Sequence, residues 1–365
     1  VKRLRIGRSE FDFHWLPYFS AHALSMLDPQ MAQRRADWEV LPRKVFRDGL
    51  RPYKNTFDKP VVTHNAPGYS EYVLSRVDAL IDEMDLEGIY LDHGPPHDSS
   101  NPRNGGWKDD NGQWQPSLDI FALRDYMKKL RTLFIDKGRA GYTFIHISNR
   151  EIMPAYTFAY AVLDGEQHRK RVRDGRYLDY LSLDEFRARF SGHQYGVPNY
   201  WLYIDWTNHR GDRAYKGSAQ QTIDTRRTLA LAMLHDLPMW HHTEDVNERQ
   251  RVNALTDRLP FNQAKFTGYW NDLPFVTADN DDVKISQYRY GDRVMNVVVN
   301  TSGQRASTRL RLDDEGGDCR VRSLVRELSD PAAADLKLRT DNTVTLPAYE
   351  SLIVSVRVSP ECPAP

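Results

Sequence analysis

Twice within the first 150 residues an amphipathic helix runs directly into a short apolar strand, and this repeated unit constrains the fold more than any other feature. In YSEYVLSRVDALIDEMD, residues 69–85, the residues Val73, Val77, Leu80, Ile81 and Met84 recur at helical spacing, with Ser70 as the expected N-cap. The strand Leu86–Asp92 follows at once. Residues 116–136 repeat the design: Pro116 and Ser117 open it, and Ile120, Leu123, Met127, Leu130 and Phe134 form the apolar stripe. Gly138 and Gly141 end it, and YTFIHIS (142–148) follows. The series continues with AYAVLDGE (159–166), a helical LSLDEFRARF (181–190), NYWLYID (199–205), a long helix over 218–236 and LPMWHH (237–242). Together with strands near 3–7 and 14–20, this alternation predicts βα units on a parallel sheet.

An open doubly wound sheet and a closed (β/α)8 barrel both fit that alternation, and the strands themselves choose. Ile89 and Leu91 share one face while Tyr90 and Asp92 share the other; Ile145 and Ile147 oppose Phe144, His146 and Ser148. Leu202 and Ile204 oppose Trp201, Tyr203 and Asp205. Aliphatic side chains on one face, with polar groups gathering toward the C-terminal strand ends on the other, suit a barrel with helices outside and a reactive mouth. A doubly wound sheet keeps both faces apolar, and no G-x-G-x-x-G or Walker loop is present. The fold class expected is therefore α/β, a (β/α)8 TIM-type barrel followed by a small antiparallel β-sandwich. Six or seven strands are legible, so one or two are expected upstream of Val1. The opening VKRLRIGRSE, without initiator Met or apolar signal-peptide core, reads as part of a longer protein.

Near residue 275 the pattern changes to short alternating strands with polar turns, from KISQYRY to SLIVSVRV. Expected domains are a catalytic barrel over 1–275, a sandwich over 276–358 and a tail over 359–365, joined through Phe266, Tyr269 and Trp270. Lys plus Arg and Asp plus Glu each number 50, so no basic field exists to recruit nucleic acid or acidic membrane. No apolar run is long enough to span a bilayer. Cys319 and Cys362 are too few for a disulfide framework and leave their own pairing open.

In GIYLDHGPPH (88–97) an apolar strand stops on a carboxylate and an imidazole. Asp92 thus occupies the strand end where barrel enzymes carry their chemistry, and Glu166 and Asp205 end other strands. Paired carboxylates in an aromatic-lined mouth are what glycoside cleavage requires, one attacking and the other protonating the leaving oxygen. Each has a structural alternative, capping a helix or pairing with Arg; that role is preferred for Asp205, the catalytic one for Asp92 and Glu166. Trp38, Tyr90, His93, Trp107, His146, Trp201, Tyr203, Asp205 and His241 are the expected substrate-binding residues. Trp107 and Trp114 lie in a Gly- and Asn-rich loop and suit stacking on sugar rings, with at least one of them expected to fold under. His93, His97 and Asp98, or His241, His242 and Glu244, offer a metal-binding alternative, but Pro95 and Pro96 forbid a helix between the first two histidines. Adjacent His241 and His242 point to opposite faces of a strand.

The order of HWLPYFSAHALS, the Trp38 loop, GIYLDHG, the SNP…GGW loop, FIHISN, PAYTFAYAVLDGEQ and a closing SLIVSVRV sandwich resembles a family. It is similar to bacterial glycoside-hydrolase-like (β/α)8 proteins with C-terminal β-sandwiches, and more distantly to α-galactosidases and endo-α-N-acetylgalactosaminidases. The resemblance implies that Asp92 is the strand-four nucleophile and Glu166 the acid/base. The expectation is a retaining glycoside hydrolase, with neither cofactor nor metal, acting on an oligosaccharide or polysaccharide in a secreted or periplasmic setting; a cytoplasmic one stays open. The rival readings are a metal-dependent hydrolase using mouth histidines and a non-catalytic carbohydrate-binding protein.

Overall fold

The computed structural model describes residues 14–48, 57–148, 150–190, 196–204, 215–240, 243–257, 259–260, 263–312, 321–327 and 341–358. The expected strand at 3–7, Asp205, His241, His242, both cysteines and the tail lie outside the described residues. The chain divides into two units, residues 1–164 with 195–198, and residues 165–194 with 199–365.

In the first unit the elements are β1 (Tyr18–Ser20), α1 (Pro29–Trp38), β2 (Val45–Asp48), β3 (Phe57–Pro60), α2 (Tyr69–Met84), β4 (Gly88–Asp92) and β5 (Asp98–Ser99). They continue with β6 (Trp107–Lys108), β7 (Trp114–Gln115), β8 (Ser117–Leu118), α3 (Ile120–Asp136), β9 (Tyr142–His146), α4 (Met153–Tyr156) and β10 (Ala161–Asp164). Strands β1, β4, β9 and β10 are parallel neighbours in that order, with Ser20 beside Asp92, Leu91 beside Ile145 and Leu163 beside His146. The period-two pattern does what it should: Ile89, Leu91, Ile145 and Ile147 pack under Val77 and Ile81 of α2 and Leu123, Met127, Leu130 and Phe134 of α3. Burying each such aliphatic chain contributes roughly 1.5–3 kcal/mol. Tyr90 and Asp92, on the opposite face, stay partly exposed. Both ends of β4 need glycine for close approach. A Cβ at Gly88 would lie 2.0 Å from the Tyr142 carbonyl oxygen, and one at Gly94 would lie 2.3 Å from Ile145 Cγ1.

Two helix starts differ from expectation. Gly68, at φ 76°, precedes α2, so Ser70 lies inside the helix and its hydroxyl meets His64 Nδ1 at 3.0 Å instead of capping. Helix α3 begins at Ile120, because Ser117 and Leu118 pair with Asp98 and Ser99 as antiparallel β5–β8. Asp119 stands at the cap position but makes no side-chain cap bond there. The β2–β3 hairpin has no counterpart in the sequence reading.

The second unit contains α5 (Leu183–Phe190), β11 (Asn199–Leu202), α6 (Ala219–Leu234), β12 (Met239–Trp240) and α7 (Val246–Thr256). Strands β11 and β12 are parallel. The antiparallel part follows: β13 (Lys265–Thr267), β14 (Val276–Ala278), β15 (Val283–Tyr290), β16 (Arg293–Asn300), β17 (Ala306–Leu312), β18 (Val321–Glu327), β19 (Thr343–Leu346) and β20 (Ser351–Val358). It forms a sheet ordered β13-β15-β16-β20-β18 and a second ordered β14-β17-β19. RVMNVVVN is apolar almost throughout because β16 is covered on both sides. Val294 and Val298 face the interior between the sheets, while Met295, Val297 and Val299 join a cluster with Phe186, Leu231 and Leu234. Phe266 and Tyr269 pack against that second cluster, and Arg187 lies over the Trp270 ring.

Side chains of the antiparallel sheet also serve α6 directly. Tyr288 donates its hydroxyl to the Met233 carbonyl at 2.6 Å, and Ser286 donates to the Leu234 carbonyl at 2.7 Å, satisfying acceptors that a helix C-terminus leaves open. A protein ending at residue 275 would lose both donors and the cover over Leu231 and Leu234. It should express less solubly and melt lower than the whole chain, and in the whole chain Tyr288→Phe should cost about 1 kcal/mol in urea unfolding. A 1–275 protein with undiminished solubility and melting temperature would contradict this account.

Candidate functional site

Strand β4 delivers Asp92 to its end, and three neighbours converge on the carboxylate. Tyr18, from β1, donates its hydroxyl to Oδ2. His146, from the end of β9, sits with Nδ1 3.0 Å from Oδ1, and its Nε2 lies 2.6 Å from the Ser148 hydroxyl. The backbone N–H of His93 donates to Oδ1 at 2.8 Å. Register explains the meeting, since Tyr18 and Ser20 of β1 lie beside Tyr90 and Asp92 of β4. Partial burial pushes the Asp92 carboxyl up, but the bonds from His146 and Tyr18, the charge of His93 and the His93 N–H outweigh it. The net effect holds the carboxyl well below the ordinary carboxylate range, which favours the ionised form.

His93 turns the chain sharply after the strand. Its φ is 53°, a left-handed conformation costing a non-glycine residue on the order of 1–2 kcal/mol. Its ring stacks on Phe46 at 3.9 Å between centroids, 17° from parallel, with Nδ1 2.9 Å from the Ser20 hydroxyl. Gly94 N–H donates to the His146 carbonyl at 3.0 Å, tying the turn to the neighbouring strand.

Behind this turn lies a buried polar cluster around Asp119. The Asp119 Oδ2 atom is 3.0 Å from His22 Nε2, and accepts from Thr63 Oγ1 at 2.9 Å and the His64 N–H at 2.8 Å. Its Oδ1 accepts from the His97 N–H at 2.9 Å. Burial pushes the Asp119 carboxyl up, yet the charge and hydrogen bond of His22, with those of His64, hold it far below the usual range. His64 and His97 are each pushed down to about 3, by burial first and by His22 second.

The remaining expected residues separate. Tyr90 lies near Tyr18 and His146, with ring centroids 5.6 and 6.5 Å away. Trp38 is no exposed stacking platform: it is 2% exposed, its indole N–H donates to the Pro67 carbonyl at 2.9 Å, and Tyr69 and Tyr72 flank it. Trp201 and Tyr203 are likewise buried, among Tyr177 and other aromatics of the second unit, because the strand face that carries them is covered by core. Trp107 and Trp114 are 53% and 46% exposed, so neither folds under, although the Trp107 indole donates to the Pro116 carbonyl. In the β6–β7 pair Trp107 opposes Gln115 and Trp114 opposes Lys108, which puts the two indoles on opposite faces.

Glu166 belongs to the second unit. Its strand ends at Asp164, Gly165 takes φ 126°, and a 3-10 turn starts at Glu166, so strand alternation does not extend to it. Arg169 binds its carboxylate, which is the ion pairing named as its structural alternative. Tyr18, Ser20, His22, Ser148 and Asp119 went unread as site residues. The first three stand at alternate positions in YFSAH, a spacing that could have marked them. Among the described residues no group of three or more His, Cys, Asp or Glu side chains has the geometry to hold a metal ion, so His93, His97 and Asp98 do not form such a set.

These features define a class, an α/β chain with polar groups at parallel-strand ends and an antiparallel sandwich at its C-terminal side. No protein-family model and no curated protein matches the chain. Among solved structures it is similar to a maltogenic α-amylase from Thermotoga neapolitana, with a TM-score of 0.53 and 14% identity over 96% of this chain and 79% of that one. It is also similar to an α-glucosyl transfer enzyme, with a TM-score of 0.55, 11% identity and coverage of 92% and 81%. An α-amylase from Geobacillus thermoleovorans gives a TM-score of 0.50, with 10% identity over 95% and 78%. At such identity the likeness carries the fold: a (β/α)8 TIM-type barrel with a C-terminal β-sandwich, as expected. These structures do not support the more distant resemblance to α-galactosidases and endo-α-N-acetylgalactosaminidases.

The cluster makes acid sensitivity predictable. In the unfolded chain His64 takes up a proton as pH falls below about 6.5, whereas in the fold it stays neutral down to about 3. The unfolded state therefore binds more protons across that window, and stability falls with decreasing pH, by up to about 1.4 kcal/mol per pH unit from this residue. Melting temperature should drop steadily between pH 6.5 and 4, and His64→Gln should flatten part of the slope. An unchanged slope in that variant would contradict the assignment.

Proposed function

We propose that this chain is a glycoside hydrolase that cleaves an oligosaccharide or polysaccharide with two carboxylates and no cofactor, Asp92 acting as nucleophile in a retaining mechanism. The observation supporting this most is the Asp92 carboxylate, held as an anion by Tyr18, His146 and the His93 N–H at a parallel-strand end. A nucleophile must be ionised before attack, and donors that fix both oxygens also fix the line along which it approaches an anomeric carbon. Tyr90, Phe46 and the exposed indoles of Trp107 and Trp114 supply apolar rings of the kind that stack on pyranose faces. One of the similar structures, an α-amylase, is complexed with acarbose, which supports an oligosaccharide as the ligand class.

Glu166 is proposed as the acid/base from its place after a strand in the chain, with His93 and His146 holding sugar hydroxyls. The mechanism then runs in two steps. Asp92 displaces the leaving oxygen as Glu166 protonates it, and water activated by Glu166 releases the sugar with its original anomeric configuration.

Asp92→Asn should lower turnover on every substrate by a factor on the order of 10⁴, because no other group can attack. Glu166→Gln should spare aryl glycosides with good leaving groups, and azide should rescue Glu166→Ala but not Asp92→Asn. Product anomer read by NMR tests retention. If Asp92→Asn turns over activated substrates at near-normal rates, Asp92 is not the nucleophile. Tight sugar binding by the intact chain without any turnover would instead favour the non-catalytic reading.

A further inference from the structure

Asp119 is a fully buried carboxylate that no substrate reaches and that caps no helix. Its contacts lead to Asp92 through two residues. The His22 ring, also fully buried, lies with Nε2 3.0 Å from Asp119 Oδ2 and Nδ1 2.8 Å from the His93 carbonyl oxygen. Both partners present oxygen atoms, a carboxylate on one side and a carbonyl on the other, so the ring lies between them with one nitrogen toward each.

The carbonyl that His22 holds belongs to the residue in the left-handed conformation, and the N–H of that same residue donates to Asp92. Its neighbours are fixed on either side: Ala21 N–H donates to the Asp92 carbonyl at 2.8 Å, and Gly94 N–H to the His146 carbonyl. The His93 carbonyl is a further handle on the turn, on the backbone side, beside the ring's contacts with Phe46 and Ser20. We infer that Asp119 and His22 are positioning residues of the Asp92 site: Asp119 orients His22, and His22 pins the His93 carbonyl so that the strained turn keeps its N–H on the carboxylate. The catalytic half of this inference rests on Asp92 being the nucleophile; the conformational half does not.

His22→Gln in the whole chain tests both halves, since a glutamine offers one donor nitrogen and cannot span the two acceptors. By NMR, amide hydrogen exchange at His93 should accelerate about tenfold or more while amides in the centres of β4 and β9 keep their rates. On aryl glycosides, kcat should fall by about tenfold or more with KM changed by less than about twofold. Glycine adopts the left-handed turn unaided, so in a His93→Gly background the further loss from His22→Gln should shrink to less than about threefold. Asp119→Asn, measured in the same way, serves if His22→Gln does not fold. Exchange that accelerates equally in all strands, or not at all at His93, would overturn the inference, as would an undiminished kcat loss in the glycine background. Selective exchange at His93 in a chain without glycosidase turnover would uphold the conformational half and remove the proposed activity instead.

Discussion

Four segments of the first unit meet at one buried carboxylate. Asp119 draws in the chain after β1 through His22, the stretch before α2 through Thr63 and the His64 N–H, and the loop after β4 through His97, while itself leading into α3. Removing such a charge from water is expensive unless donors replace the solvent, and here both oxygens are occupied. The arrangement is consequently demanding. A donor lost from any one segment leaves the anion short of a partner, and the loops around Asp92 share that dependence.

The sheet and its covering helices were legible because their signals are local. Val77, Ile81, Leu123, Met127 and Phe134 declare a helix face by spacing alone, and Ile89 against Tyr90 declares a strand in the same way. Asp119 could not be read. In the sequence it is one acidic residue ahead of an apolar stripe, which is the ordinary signature of a cap, and its real partners lie 22 to 97 positions away. Glu166 is expected to end a strand, but the strand stops at Asp164 and Gly165 turns the chain away before it. Trp38, Trp201 and Tyr203 show the opposite weakness: large aromatics near strand ends suit both a sugar-binding rim and a core, and only three-dimensional cover distinguishes them.

In the second unit, β16 shows how one strand can belong to two cores. Its even-numbered valines close the space between the two antiparallel sheets, and its odd-numbered residues meet α5 and α6. With Tyr288 and Ser286 supplying donors to the end of α6, sheet and helices share their apolar cover and their hydrogen bonding alike.

Gly88 and Gly94 bracket the strand that carries Asp92, and a Cβ at either position would overlap β9. A strand held by hydrogen bonds alone can slip by two residues and regain an equivalent ladder with every side chain on its former face. Slippage of β4 along β9 would push a side chain into space that only a hydrogen atom fills. The pair therefore acts as a mechanical stop at both ends of the strand. The distance between Asp92 and His146 is governed by steric exclusion as well as by attraction, and it should persist when the groups at the site change their charge.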